Sequence, residues 1–223
     1  MKTGNKVCFV VAAMIIAAAG EICFASSDGD FQYWSAAGAS FDINKDWKFT
    51  FEEEFRFGDG AGDLYRHHSD MGFIYRGLGD WIDLGFNYRQ VYEKDSKGKW
   101  NEEHRPHLNV TLKGKLFGLD MSDRSRFDYR DRENKKDVWR YRNKLTVKLP
   151  FELTSLKLQP YLADEAFITL NDDNIDKNRL YAGFSVKLSK DISGEVYYML
   201  QHSRSKEQWD HTNVLGTAIK LRF

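Results

Sequence analysis

The chain has 223 residues, of which 42% are hydrophobic and 30% charged, with a mean hydropathy of −0.59. That average excludes a polytopic helical membrane protein, whose spans each need about 20 apolar residues. Lys and Arg number 33 and Asp and Glu 33, so no net field argues for nucleic acid as a partner or for an acidic disordered chain. Aromatic content of 15% with only 3 prolines favours sheet.

Lys2 and Lys6 open the chain, Val7 to Ala19 is an unbroken apolar run, and Ala25 offers a small residue before a polar stretch. This is the layout of a secretory signal peptide, and the run is too short to span a bilayer. Cleavage after Ala25 gives a leader of residues 1–25 and a single domain of 26–223. Both cysteines, Cys8 and Cys23, leave with the leader. Disulfides, Cys-ligated zinc and a catalytic cysteine are thereby excluded from the mature chain.

Beyond the leader the sequence alternates with period two, the signature of strands with one apolar and one polar face. Trp47, Phe49, Phe51, Phe55 and Phe57 oppose Lys48, Thr50, Glu52, Glu54 and Arg56. The same division recurs around 82–93, 105–116, 139–149, 179–188 and 215–223, and more weakly at 31–43, 64–77, 121–132, 157–169 and 192–202. Short turns at 44–46, 78–80, 118–120 and 189–191, with a longer one at 150–155, interleave with polar loops at 58–63, 94–102, 133–137, 170–178 and 203–212. Short turns at one end and longer loops at the other form the arrangement of a transmembrane β-barrel. Segment lengths match the roughly 9 to 11 residues that a tilted strand needs to cross. The competing soluble sandwich leaves the leader and the alternating connections unexplained.

The chain closes on Phe223, with Leu221, Ile219 and Leu215 on the same face. This ending is similar to the strand that barrel-insertion machinery reads in outer-membrane proteins, which makes Leu221 and Phe223 the expected insertion signal. About eleven segments are countable. Because bacterial single-chain barrels have even strand numbers, the expectation is an all-β, antiparallel barrel of about twelve strands, with ten as the second choice.

Several stretches carry a family likeness: Glu52-Glu53-Glu54-Phe55-Arg56, Arg124-Ser125-Arg126-Phe127-Asp128-Tyr129-Arg130 and Arg140-Tyr141-Arg142-Asn143-Lys144-Leu145. Pro160-Tyr161-Leu162-Ala163-Asp164-Glu165, Asn178-Arg179-Leu180-Tyr181-Ala182-Gly183 and Leu221-Arg222-Phe223 extend it over the mature chain. The sequence resembles a family of small Gram-negative exported proteins, known as a domain of unknown function and regarded as outer-membrane barrels. The resemblance implies fold and location and brings no mechanism. A looser likeness in size and strand count, without a shared motif, points to oligosaccharide-specific porins with arginine-lined lumens.

On a barrel the polar faces point inward, so the expected pore-lining residues are Glu52, Glu54, Arg56, Arg76, Arg89, Arg105, Arg126, Arg130, Arg140, Arg142, Lys144, Glu165, Arg179 and Glu195. Acidic residues such as Asp59, Asp63, Glu102, Glu103, Asp172, Asp173 and Asp176 are assigned to loops. The expectation is a narrow channel or binding barrel whose arginine-rich lumen favours small anionic solutes. The alternative has these arginines pair with Glu52, Glu54, Asp83, Glu165 and Glu195 inside a closed structural or adhesion barrel.

A second alternative is a lipid hydrolase. In His67-His68-Ser69-Asp70, however, His67 and Ser69 share one strand face and His68 and Asp70 the other, which splits any triad. Asp172, Asn174 and Asp176 have calcium-ligand spacing, but Lys177 and Gly183 stand where a calcium loop needs Gly and Glu. His104 and His107 fall on opposite strand faces. The expectation is therefore a non-enzymatic protein of the cell outer membrane without cofactor or metal. Its partners are lipid, lipopolysaccharide, the insertion machinery and small anions.

Overall fold

The computed structural model describes residues 29–170, 174–205 and 208–223. The expected leader, Asp172 and Asp173 lie outside the described residues. Among the described residues eleven strands follow one another: β1 (Phe31–Asp42), β2 (Trp47–Gly58), β3 (Asp63–Tyr75), β4 (Ile82–Lys94), β5 (Trp100–Leu116) and β6 (Leu119–Arg132). They continue with β7 (Val138–Lys148), β8 (Gln159–Thr169), β9 (Asn174–Lys187), β10 (Ile192–Ser205) and β11 (Gln208–Arg222). Each pairs with its neighbours in sequence, and β1 pairs with β11 to close the barrel.

The seam corrects two expectations. Consecutive strands are antiparallel throughout, but β1 and β11 run parallel, from Phe31 opposite Asn213 to Ser40 opposite Arg222. The barrel is therefore mixed, with eleven strands rather than twelve or ten. An even count is required only when the closing pair is antiparallel. Here β1 and β11 travel in the same direction, so closure is complete without a twelfth strand. Gly29 stands at one end of the barrel and Phe223 at the other.

Connection lengths also differ from the expectation. The links at the Gly29 end, 59–62, 95–99, 133–137, 170–173 and 206–207, are as short as those at the Phe223 end. The longest link in the chain, 149–158, lies at the Phe223 end. Polar segments that read as loops, such as 100–102 and 208–212, are strand ends whose backbone pairing continues past the apolar pattern. The link between β5 and β6 is a two-residue hairpin in which Phe117 and Gly118 have φ of 52° and 81°. Both signs fit a turn matched to strand twist, yet a bulky residue rarely adopts the first.

Polarity is inverted relative to a soluble protein. The outer wall exposes Phe73, Phe86, Leu108, Leu180 and Ile219, with Leu108 at 52%. The interior buries Arg56, Arg89, Arg105, Arg126, Arg140, Arg142, Asp128 and Glu165. An apolar interior cluster of Trp34, Tyr161, Ala163, Tyr181, Met199 and Val214 occupies the β1, β8–β11 side. Room for it comes from Gly183 and Gly216: a Cβ on either would press within 3.0 Å of Tyr197. The outer wall is not uniformly apolar. Glu53 accepts a hydrogen bond from Ser69, Asp123 one from Asn143 at 2.6 Å, and Asp164 one from Asn178 at 2.7 Å.

At the seam, Phe223 N–H donates to Ser40 O at 2.8 Å and Asp42 N–H to Phe223 O at 3.2 Å. The Phe223 ring stacks on Phe41 at 4.9 Å. Asp42 accepts from both Arg222 and Arg76 at this rim.

Candidate functional site

The two halves of the lumen differ. Toward the Gly29 end the interior is packed with side chains. Glu103 on β5 accepts a bidentate pair from Arg130 at 2.6 and 2.8 Å and a further bond from Arg105 at 2.7 Å. Asp128 on β6 accepts from Arg140 on β7 at 2.6 Å. Val91, Met199, Val214 and His68 around this layer are fully buried. Arg56 stacks on Trp34 at 3.5 Å, and Arg142 and Arg179 lie 4.6 and 4.7 Å from the Phe167 ring. Such pairing offsets the cost of desolvating charges without adding much net stability.

Toward the Phe223 end lies a cavity of about 450 Å³, within the range of small-molecule sites. Ser40, Lys48, Asp83 and Lys220 line its outer part, and Trp34, Arg56 and Arg179 its inner part. The described lining residues include nine basic and six acidic side chains, an excess of three positive charges.

The excess is concentrated on β6 and β7. Register places Arg124 opposite Lys144 and Arg126 opposite Arg142, so four cations face one another across a single strand pair. Like charges so placed repel. Glu165 on β8 compensates in part: it accepts from Arg142 at 2.6 Å, Arg124 at 3.0 Å and the Tyr181 hydroxyl at 3.0 Å, with Arg179 at 3.6 Å. Lys144 rests over the Tyr181 ring at 3.9 Å. Arg126, 6% exposed, donates its Nε–H to Asn109 at 2.7 Å, while its Nη1 has no hydrogen-bond partner. Arg124 Nε and Arg142 Nε are also without partners.

The opposite wall has a different character. Glu52 and Glu54 on β2 face the lumen, with His68 of β3 opposite Glu54 in register. Ligand atoms of these three lie within 4.8 Å of one another, the one such group among the described residues that is suited to a metal.

A family model described as "Protein of unknown function (DUF2490)" matches residues 31–212. The chain belongs to this family. The match runs from the start of β1 into β11 and takes in every chamber residue except Ala218, Lys220 and Leu221. No curated protein matches the chain.

Of the residues expected to line a pore in this family member, ten line the chamber: Glu52, Glu54, Arg56, Arg89, Arg126, Arg142, Lys144, Glu165, Arg179 and Glu195. Arg105, Arg130 and Arg140 lie in the packed half, and Arg76 sits at the rim on Asp42. Glu103, assigned to a loop, is buried inside because β5 starts at Trp100. Sequence reasoning missed Asp128, His68 and Arg124 as interior partners. Asp128 and Arg124 share the two-residue spacing of Arg126 and Arg130, a signal available in the sequence. Of the residues considered for a hydrolase, Ser69 donates to Glu53, and His67 stacks between Phe55 and Tyr92.

Proposed function

We propose that this protein is an integral outer-membrane barrel whose chamber, open at the Phe223 end, binds small anionic solutes, and that it is not an enzyme. The apolar outer wall supports membrane residence, since soluble monomers do not expose contiguous apolar surface on this scale. Leu221 and Phe223 serve as the insertion signal, and the Phe223 end then faces the periplasm. Phe117, 82% exposed in a left-handed turn at that end, suits an interfacial anchor.

The observation that carries the solute reading is the unpartnered Nη1 of buried Arg126 in a wall of four cations. An unmet guanidinium donor in a low-dielectric cavity is a strong site for carboxylate or phosphate. The packed upper half favours binding over free passage. Isothermal titration of the detergent-folded protein with inorganic phosphate and with a four-carbon dicarboxylate, at low salt, tests this. Saturable binding that weakens with salt is expected. Absence of binding for both anions refutes the reading. Recovery of the protein in a detergent-free soluble fraction refutes the membrane assignment.

A further inference from the structure

We propose a second site, for a divalent first-row transition cation, formed by Glu52, Glu54 and His68 on the β2–β3 wall of the lumen. Glu52 and Glu54 are two residues apart on one strand and project to the same face. The antiparallel register then sets His68 directly across from Glu54. The three ligand atoms lie within 4.8 Å of one another, and side-chain rotation alone can bring them to the roughly 3.4 Å spacing around a tetrahedral ion with ligands at about 2.1 Å.

The independent observation is the state of His68. Its side chain is 0% exposed, and neither Nδ1 nor Nε2 has a hydrogen-bond partner. A buried imidazole with both nitrogens unmet has lost its water without replacement. Glu54 Oε1 lies 3.6 Å from Nδ1. That oxygen is already taken by Arg56 at 2.6 Å. A cation between the ring and the carboxylates would satisfy the imidazole through a lone pair.

Charge agrees. Arg56 is committed to Glu54 and Arg89 to Asp70 at 2.7 Å, which leaves Glu52 with its closest guanidinium 4.0 Å away. Glu52 is thus the carboxylate of this wall least engaged by a cation, while the β6–β7 wall has surplus cations. An imidazole with two carboxylates selects zinc-like ions over the oxygen-preferring magnesium and calcium. Glu52 and Glu54 line the chamber, so the remaining coordination position faces the cavity, where water or an anion completes the shell. The site is independent of the anion reading, because it uses a different wall and needs no solute.

Titration of the detergent-folded protein with zinc chloride alone is the test. One zinc per chain is expected, weakened at least about tenfold in Glu52→Gln, Glu54→Gln and His68→Asn, and unchanged in His104→Gln on the outer wall. Glu52, the most exposed of the three, supplies a variant that keeps its fold if the other two do not. No saturable binding to the wild type, or binding undiminished in Glu52→Gln, overturns the proposal.

Discussion

Replacing Glu165 by Gln removes one negative charge while keeping the side chain's shape and one acceptor oxygen. Glu165 is 1% exposed and faces Arg142, Arg124 and Arg179. Breaking a buried ion pair costs about 3–5 kcal/mol, because the partner stays behind unpaired. The three arginines do not contribute equally. Arg124, with a side chain 31% exposed, can turn to water, and Arg142 retains Asp128 at 3.9 Å. The cost therefore falls near the lower end, about 3 kcal/mol, or roughly 6–12 °C in melting temperature for a chain of this size. Urea titration in detergent micelles, followed by heat-modifiable gel mobility, measures it. Adding Arg142→Met should recover part of the loss, since the orphaned charge is then gone. The same Glu165→Gln chain should bind phosphate more tightly than wild type. A loss below about 1 kcal/mol, or weaker phosphate binding, would refute the view that Glu165 is the counter-charge of this wall.

Arg126→Gln should weaken phosphate or dicarboxylate binding by about 10- to 100-fold, the worth of a charged hydrogen bond, with folding retained; titration calorimetry reads it, and unchanged affinity rejects the site. Planar-bilayer recordings should give no steady conductance, because the lumen is filled at the Glu103 and Asp128 layer; a persistent open current contradicts that closure. Phe117→Asn should stabilise the β5–β6 hairpin by about 0.5–1 kcal/mol through relief of its left-handed φ, seen as a raised urea midpoint; a lowered midpoint refutes the strain argument. Asp95 accepts from the N–H groups of Lys99 and Lys97, which hold its carboxyl below the usual value of 3.8. Support for the 95–99 turn is thus present above the ordinary Asp value and lost as pH falls through the depressed one, visible as faster amide exchange at Lys97 and Lys99 in acid and absent in Asp95→Asn.

Much of the barrel is legible in alternation. The segments at 47–57, 82–93 and 139–149 map onto β2, β4 and β7 almost unaltered, because an apolar outer face and a polar inner face leave a period-two trace, while β5, β9 and β11 each begin five to seven residues before their pattern does. Strand ends were less legible. Residues 100–102 read as part of a 94–102 loop because Glu102 and Glu103 are both charged, yet Glu102 faces outward while Glu103 faces inward and accepts from Arg105 on its own strand and Arg130 on the neighbouring one. Strand parity is illegible for a different reason: the direction of the seam depends on whether β1 meets β11, a contact between the extremes of the chain that no local pattern encodes. The arginine-rich lumen was visible residue by residue. The division into a packed half and a chamber was not, since it depends on whether Phe167, Met199 and Trp34 fill the space between charges. In the sequence His68 belongs to a broken triad, and only register brings it to Glu54.

The parallel seam bears on how the barrel is made. Every other strand pair joins neighbours in sequence and can form as a hairpin, whereas the bond from Ser40 to Leu221 spans 181 residues. Closure must therefore await the whole chain, and its loop entropy is met once, at the end. A parallel ladder is also slightly weaker per residue than an antiparallel one. The barrel has a single line along which it assembles last and reopens first, with the stacked rings of Phe41 and Phe223 as its clasp.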